Sequence, residues 1–118
     1  MSGYISGQTA IVTGAARGIG LGIARRLAAD GCRVAVWDRD TTPLEDVSDF
    51  APDFVQQVDI TDLGAVERAF AATVEALGEI QILVNNGGIN GPVVAHWEYP
   101  ADQWDRVLAV NLTGVFYC

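Results

Sequence analysis

The sequence predicts an α/β fold in which a doubly wound parallel sheet lies between two helical layers. Short apolar runs alternate with longer segments whose apolar residues recur at helical spacing, which is the order of successive βαβ units. The chain has 118 residues, 50% of them hydrophobic, which is enough for one domain with a core and too few for two. Right-handed crossovers between parallel strands then favour a single three-layer α/β/α arrangement.

The first half of the chain predicts two strands around one helix. Residues 8–13 are a buried strand, and residues 33–37 are the next one. Between them, residues 18–30 form a helix that ends at Gly31. The apolar positions Ile19, Ile23, Ala24 and Leu27 share one face of this helix, and we expect that face to pack on the sheet.

The second half repeats the alternation. Residues 41–52 are polar and turn-rich, with room for one short helix, and residues 54–58 form a weaker strand. Thr61 or Asp62 caps a helix that ends at Gly78, and residues 80–84 form a strand. After a Gly- and Asn-rich loop, residues 101–118 predict one long helix. The apolar faces of the two helices carry Val66, Phe70, Val74 and Leu77, and Trp104, Leu108, Leu112 and Val115.

The segment TGAARGIG, residues 13–20, joins the first strand to the first helix. The first turn of a helix presents unpaired N–H groups and the positive end of the helix dipole, which together suit a pyrophosphate. Gly14 permits the tight turn, Gly18 leaves room for the phosphates, and Gly20 allows close helix packing. A glycine-rich turn without a ligand is the alternative. Asp38, about 20 residues on at the end of the second strand, favours dinucleotide binding because it can accept hydrogen bonds from a ribose.

The same aspartate bears on which dinucleotide is bound. A carboxylate repels the 2′-phosphate of NADP at close range, so Asp38 favours NAD. Arg17 and Arg39 could pair with such a phosphate, although either could equally be solvated surface. We therefore expect NAD, with NADP as the less favoured cofactor.

Composition excludes several other functions. A net charge of −8 is unsuited to nucleic acid or to an anionic membrane surface, and no apolar run approaches the roughly 20 residues of a membrane span. Cys32 and Cys118 follow no metal or redox spacing, so we expect reduced thiols and no metal. The N-terminal MSGYISGQ lacks the pattern of a signal peptide. These features predict a cytoplasmic protein.

The sequence resembles the short-chain dehydrogenase/reductase family, whose cofactor domain is Rossmann-like. The resemblance is carried by TGAARGIG at 13–20, Asp38, VDI at 58–60, NNGG at 85–88 and VNLTG at 110–114, in the order and spacing of the family. It implies that the glycine-rich loop, the residue at the end of the second strand and the loop after the fourth strand hold the cofactor. The implied cofactor-binding residues are Gly14, Arg17, Gly18, Ile19, Gly20, Asp38, Asp59, Ile60, Asn86 and Gly88.

The resemblance also implies individual roles. Asp59 accepts from the adenine amino group beside the Ile60 backbone, whereas Asn86 and Gly88 line the adenosine ribose and the path to the nicotinamide. Asn111 is the one implied catalytic residue, at a helix kink where its main chain holds a water of the proton relay. From the residues alone, Asp59 could be a strand-end cap, Asn86 a loop-stabilising amide and Asn111 a solvent-facing polar residue.

One position departs from the family pattern Asn-Asn-Ala-Gly, because Gly87 replaces the alanine. The extra backbone freedom costs about 0.5–1 kcal/mol and should loosen the loop slightly. Around residues 91–100 the sequence resembles members acting on sugar acids, polyols or 3-oxoacyl thioesters, so we expect a small hydroxy or keto substrate. His96 is more typical of a loop histidine than of a catalyst.

The remaining catalytic groups of the family, a Ser and a Tyr-x-x-x-Lys pair, have no counterpart here, since the chain contains no lysine. We expect residues 1–118 to be the cofactor-binding part of a longer secondary-alcohol dehydrogenase or ketone reductase, cut within the helix that starts near Ala101, and inactive alone. A non-catalytic NAD-binding module and an assembly fragment that needs a second chain are the alternatives. The family resemblance further implies a dimer or tetramer of identical subunits.

Overall fold

A parallel sheet forms the centre of the molecule in the computed structural model, which describes residues 3–118. Its described strands lie in the order β3-β2-β1-β4, and all neighbours are parallel. The strands are β1 (Thr9–Thr13), β2 (Arg33–Asp38), β3 (Phe54–Gln57) and β4 (Ile82–Val84). The helices are α1 (Gly18–Ala29), α2 (Leu63–Leu77), α3 (Ala101–Leu108) and α4 (Gly114–Tyr117). Short 3₁₀ turns cover Thr42–Asp46 and His96–Glu98, and a π-helical turn, Ala109–Thr113, joins α3 to α4.

The core has two halves because successive strand residues point to opposite faces of the sheet. On one face, Ile11, Ala35 and Trp37 pack against α2, and on the other Val12 and Val34 pack against α1. All five residues of β1 are buried. The predicted doubly wound α/β/α fold is therefore confirmed.

A buried polar contact attaches α2 to the sheet. Trp37 on β2 is only 2% exposed, and its indole Nε1 donates to Thr73 Oγ1 at 3.0 Å. The Thr73 hydroxyl in turn donates to the carbonyl of Ala69 at 2.7 Å. Because both buried polar groups are paired, the aromatic ring can fill the core without an unsatisfied N–H.

The ends of the helices match the local signals in the sequence. Asp62 is the N-cap of α2, where its Oδ1 accepts from the Ala65 N–H at 3.1 Å. Gly78 ends that helix with a φ of 81°, and Gly31 follows α1 with a φ of 96°. Both values lie in the left-handed region that favours glycine.

The predicted apolar faces were partly wrong. On α1, Ile19 is 79% exposed, and the buried residues are Gly20, Leu21 and Ala24. On α2, Phe70 and Val74 are half-exposed, whereas the core side is made by Val66, Ala69, Thr73 and Leu77. The core side thus includes a small residue, Ala69, and a polar one, Thr73, which accepts from Trp37, so side-chain size alone misplaces the face.

The last segment is helical, although not as the single α-helix expected over 101–118. The π-helical turn interrupts it at Ala109–Thr113. A stripe of large apolar side chains runs along its exposed side, defined here as the α3–α4 stripe: Trp104, Leu108, Leu112 and Phe116. Three residues of the predicted face, Trp104, Leu108 and Leu112, belong to this stripe, whereas Val115 is half-buried and Phe116 takes its place. All four side chains of the stripe are exposed in the described chain.

Strand β4 is shorter than predicted and lies at the edge of the described sheet. It begins at Ile82 because Gln81 instead turns its side-chain Oε1 towards the Thr9 N–H, which donates at 2.8 Å. Leu83 is 41% exposed as a result of the edge position. Of the N-terminal segment MSGYISGQ, Met1 and Ser2 lie outside the described residues. Within residues 3–118, no helix is both long and apolar enough to cross a membrane.

Candidate functional site

A cleft of about 250 Å³ opens at the carboxyl ends of the strands. It lies where the chain passes from β1 to neighbours on both sides, β2 and β4, which is the usual ligand position in an open parallel sheet. Its wall combines residues of the glycine-rich loop, the end of β2, the segment after β3 and the loop after β4. The lining residues are Thr13, Gly14, Arg17, Trp37, Asp38, Arg39, Val58, Asp59, Ile60, Asn86, Gly87, Gly88, Ile89 and Val110.

The glycine-rich loop leaves the N-terminus of α1 open. Gly14 has a φ of 64° and Gly18 a φ of 60°, which are left-handed conformations that other residues rarely adopt. Apart from the two residues beside it and the nearby backbone of α1 itself, no atom of the described chain lies within 4 Å of the position that a Cβ at Gly18 would take. Within residues 3–118, no side chain caps α1, and its first turn contains no acidic residue. The free N–H groups and the helix dipole therefore face an accessible space suited to an anion.

Gly20 has a packing role. A Cβ at this position would overlap the Gly14 carbonyl oxygen and lie 2.5 Å from Asn86 Nδ2. Asn86 itself donates from Nδ2 to the Gly14 carbonyl at 3.0 Å. The side chain of Asn86 therefore ties the loop after β4 to the glycine-rich loop, and its backbone lines the cleft.

Asp38 is held by backbone donors on both sides. Its Oδ2 accepts from the N–H of Ala16 at 3.1 Å, and its Oδ1 accepts from the N–H of Asp40 at 3.2 Å. These bonds fix the carboxylate at the end of β2 on the cleft wall. Arg17 and Arg39 are exposed residues of the same wall, so both signs of charge are present there.

Thr13 is a site residue that the sequence reasoning missed. Its Oγ1 accepts from the backbone N–H groups of Asn86 at 3.1 Å and Gly87 at 2.9 Å. The same hydroxyl lies 3.4 Å from the Val84 carbonyl, to which it donates. In the sequence, a threonine in a buried strand resembles any other β-branched core residue. Only its position directly before Gly14, at the start of the glycine-rich loop, could have indicated its role.

Asp59 stands on the opposite wall of the cleft with a stabilised negative charge. Its Oδ1 accepts from the Thr61 hydroxyl at 2.7 Å and from the Thr61 N–H at 2.9 Å. These two hydrogen bonds, helped by the positive charges of Arg39 and Arg106, hold the pKa of the Asp59 carboxyl below its ordinary value. The carboxylate is thus an exposed acceptor beside Ile60.

Asn111 lies in the π-helical turn and binds the loop after β4. Its Oδ1 accepts from the Ile89 N–H and its Nδ2 donates to the Ile89 carbonyl, both at 2.8 Å. Asn111 Oδ1 also lies 3.2 Å from where a Cβ at Gly88 would stand. The side chain is therefore committed to the loop. π-turns are frequent at functional sites, since they redirect backbone groups out of the helical ladder.

The structure brings most of the predicted site residues together. Gly14, Arg17, Asp38, Asp59 and Ile60 line the cleft, as do Asn86 and Gly88. Gly18, Ile19, Gly20 and Asn111 do not form its wall. Gly18 follows the wall residue Arg17 in the chain and Asn111 follows Val110, whereas Ile19 and Gly20 lie further along the first turn of α1. His96 is exposed in a 3₁₀ turn outside the wall. Within residues 3–118, no group of three or more His, Cys, Asp or Glu side chains could hold a metal ion.

Comparison with known proteins agrees with this geometry. Residues 8–118 match the family model described as short chain dehydrogenase. The chain belongs to the short-chain dehydrogenase family. The resemblance carried by the five sequence motifs is thereby confirmed.

Characterised family members are similar over nearly the whole chain. The 2-dehydro-3-deoxy-L-rhamnonate dehydrogenase (NAD(+)) of Sphingomonas sp. (strain SKA58) is 39% identical over 99% of this chain and 47% of its own length. Among solved structures, the 3-ketoacyl-(acyl-carrier-protein) reductase from Brucella melitensis complexed with NADH has a TM-score of 0.89 and 33% identity, covering 96% of this chain and 48% of that one. NAD⁺-bound xylitol dehydrogenase has a TM-score of 0.90 and 32% identity, covering 98% and 46%. The chain spans about half the length of the curated relatives it matches.

Proposed function

We propose that residues 1–118 form the cofactor-binding part of an NAD-dependent dehydrogenase/reductase that interconverts a secondary alcohol and a ketone. The observation that carries this proposal is the cleft, where an uncapped helix N-terminus with its glycine loop and a fixed carboxylate face the same space. The two groups suit different parts of an adenosine diphosphate. The helix N-terminus attracts the phosphates, and the carboxylate accepts hydrogen bonds from the ribose hydroxyls.

The residues present fit such a cofactor. The open space at Gly18 would admit a pyrophosphate against the α1 amides, and the fixed carboxylate of Asp38 would accept from the adenosine ribose. Asp59 and the Ile60 backbone would receive the adenine, and Gly88 would border the path towards the nicotinamide. When bound, the nicotinamide supplies a site that accepts or gives a hydride.

We favour NAD over NADP because the Asp38 carboxylate would face a 2′-phosphate. This choice is supported by a related dehydrogenase that is named for NAD(+) and by two related structures that contain NADH or NAD⁺. Arg17 and Arg39 stand on the same wall and could attract that phosphate, although both are long, exposed side chains whose ordering would cost conformational entropy.

Asn111 is the catalytic contribution that we propose for this part of the protein. Its side chain is fully engaged with Ile89, so its main chain in the π-turn is the group that could hold a relay water. The proton itself would be exchanged by a tyrosine whose pKa a neighbouring ammonium lowers, and these groups would come from outside residues 1–118.

The substrate class we propose is a small hydroxy or keto compound of the sugar-acid, polyol or 3-oxoacyl type. Relatives named for such substrates support this class: a deoxyrhamnonate dehydrogenase, a 3-ketoacyl reductase and a xylitol dehydrogenase. We propose that the exposed α3–α4 stripe is an interface between identical subunits of a dimer or tetramer, since an uncovered apolar surface of this kind is typical of an interface. A cytoplasmic location stays a prediction.

A second candidate is an NAD-binding module without turnover, which the absence of any lysine in the sequence favours. The two candidates are separated by measuring the intact mass of the purified natural protein together with hydride transfer on a panel of hydroxy acids, polyols and 3-oxoacyl thioesters. Turnover by a protein of about twice this length supports the dehydrogenase, whether as NAD⁺ reduction by the hydroxy acids and polyols or as NADH oxidation by the 3-oxoacyl thioesters. A protein of the present length that binds NADH and turns over no member of the panel supports the module.

A further inference from the structure

The side chain of Ile60 fills a slot between two glycines on different elements. A Cβ at Gly87, in the loop after β4, would lie 3.1 Å from Ile60 Cδ1. A Cβ at Gly114, at the start of α4, would lie 2.8 Å from Ile60 Cγ1 and 2.9 Å from Cδ1. Ile60 therefore touches both elements where neither has a side chain of its own, and it packs between them as a spacer.

The two elements carry the inner wall of the cleft. The loop after β4 supplies Gly88 and Ile89, and the π-turn before Gly114 supplies Val110. The Asn111–Ile89 hydrogen bonds join the two elements at one point, and Ile60 holds them apart at another. The thickness of the side chain at position 60 thus sets their separation.

The backbone at position 87 does not itself require glycine. The φ of Gly87 lies outside the left-handed region, in contrast to Gly14 and Gly18. The atoms that oppose a Cβ there are the end of a flexible side chain, Ile60 Cδ1, and Thr13 Oγ1 at 3.2 Å. An alanine at 87 therefore requires one of these two groups to shift by a few tenths of an ångström, and the δ-methyl of Ile60 is the nearer and the more flexible of them.

We infer that Ile60 is a positioning residue and that its δ-methyl does here what a methyl at position 87 could do instead. Either group fills the space between the loop and the π-turn, and both together overfill it. This inference rests on the proposed function only where it concerns cofactor binding. The packing relation stands on the distances alone.

The test is a double-mutant cycle in the whole protein with Ile60→Val, Gly87→Ala and the double variant. The double variant keeps the total number of carbon atoms, because the first change removes one carbon and the second adds one. We expect Ile60→Val to lower Tm by roughly 2–6 °C through the lost methylene, and Gly87→Ala to lower it through crowding. The double variant should return to within about 2 °C of the wild type. NADH affinity separates a positioning role from a purely structural one. Each single variant should weaken NADH binding about threefold or more, and the double variant should restore it.

Gly114→Ala is the matched control. Ile60 Cγ1, which opposes a Cβ at 114 most closely, is retained in valine, so Ile60→Val should leave the Gly114→Ala defect largely unrelieved. Additive losses in the Gly87 cycle, or equal relief of both alanine variants, would overturn the inference. If Gly87→Ala does not fold, a double variant no more stable than Ile60→Val also overturns it. Absence of NADH binding to the wild type would instead defeat the proposed function and leave the Tm cycle decisive for packing.

Discussion

Replacing Asp38 by asparagine should change cofactor preference while leaving the cleft in place. The exchange removes one negative charge at almost constant shape. Asparagine keeps a single acceptor oxygen, which should stay with the N–H of the buried Ala16, because the N–H of the exposed Asp40 can bind water instead. We therefore expect the free energy of unfolding to fall by less than about 1 kcal/mol.

The magnitude for cofactor choice follows from Coulomb's law. Two unit charges about 4 Å apart repel by about 1 kcal/mol in water and about 4 kcal/mol at an effective dielectric constant of 20. Asp38 is half-buried, so the value lies between these limits. Since a tenfold change corresponds to about 1.4 kcal/mol, the ratio of the NADPH to the NADH dissociation constant should fall by at least about fivefold in Asp38→Asn. Arg17 and Arg39 then face the 2′-phosphate unopposed by that carboxylate.

The assay is equilibrium titration of NADH and NADPH, followed by energy transfer from Trp37, which lines the cleft. Asp40→Asn is the matched control. It removes the same charge only two positions further along the chain, but the Asp40 side chain is exposed and lies outside the cleft wall. A ratio unchanged within about twofold in Asp38→Asn, or an equal shift in Asp40→Asn, would refute the reasoning.

Three further predictions concern the glycine loop, the acid range and the π-turn. Gly20→Ala should lose NADH binding and several degrees of Tm, since its Cβ would overlap the Gly14 carbonyl; intact binding in a titration would contradict this. The pKa of Asp59 is lowered on folding, so its stabilisation is present at neutral pH and lost as the pH falls through the lowered pKa. The Tm values of the wild type and of Asp59→Asn, measured by thermal melts, should therefore converge as the pH is lowered. A difference in Tm that stays constant with pH would contradict this prediction. Asn111→Leu removes both Ile89 hydrogen bonds and should lower kcat of the whole enzyme at least about tenfold with a smaller change in NADH affinity, which single-turnover kinetics and titration can separate.

The elements with strong local signals were predictable from the sequence. Strand β1 and helix α1 begin within one residue of their predicted positions, because an apolar run and a glycine turn mark the junction. The cap at Asp62 and the stop at Gly78 were predictable for the same reason. The glycine-rich loop and Asp38 carried enough of the site to indicate its ligand class.

The remainder depended on tertiary contacts. Thr73 is buried because Trp37 donates to it, a pairing of residues 36 positions apart that no local pattern reveals. Phe70 remains half-exposed because α2 turns its small residues to the sheet. The roles of Thr13 and Asn111 follow from the loop after β4, to which both of them bind.

The most direct measurement of the central claim is the NADH affinity of the whole protein and of two alanine variants in the same helix. Gly18→Ala places a methyl over the α1 amides in a left-handed conformation, and Gly22→Ala adds a methyl with no described atom within 4 Å in an ordinary helical conformation. We predict saturable binding to the wild type and to Gly22→Ala, and at least about tenfold weaker binding to Gly18→Ala. No saturable binding to the wild type, or equal affinity in all three proteins, would contradict the account.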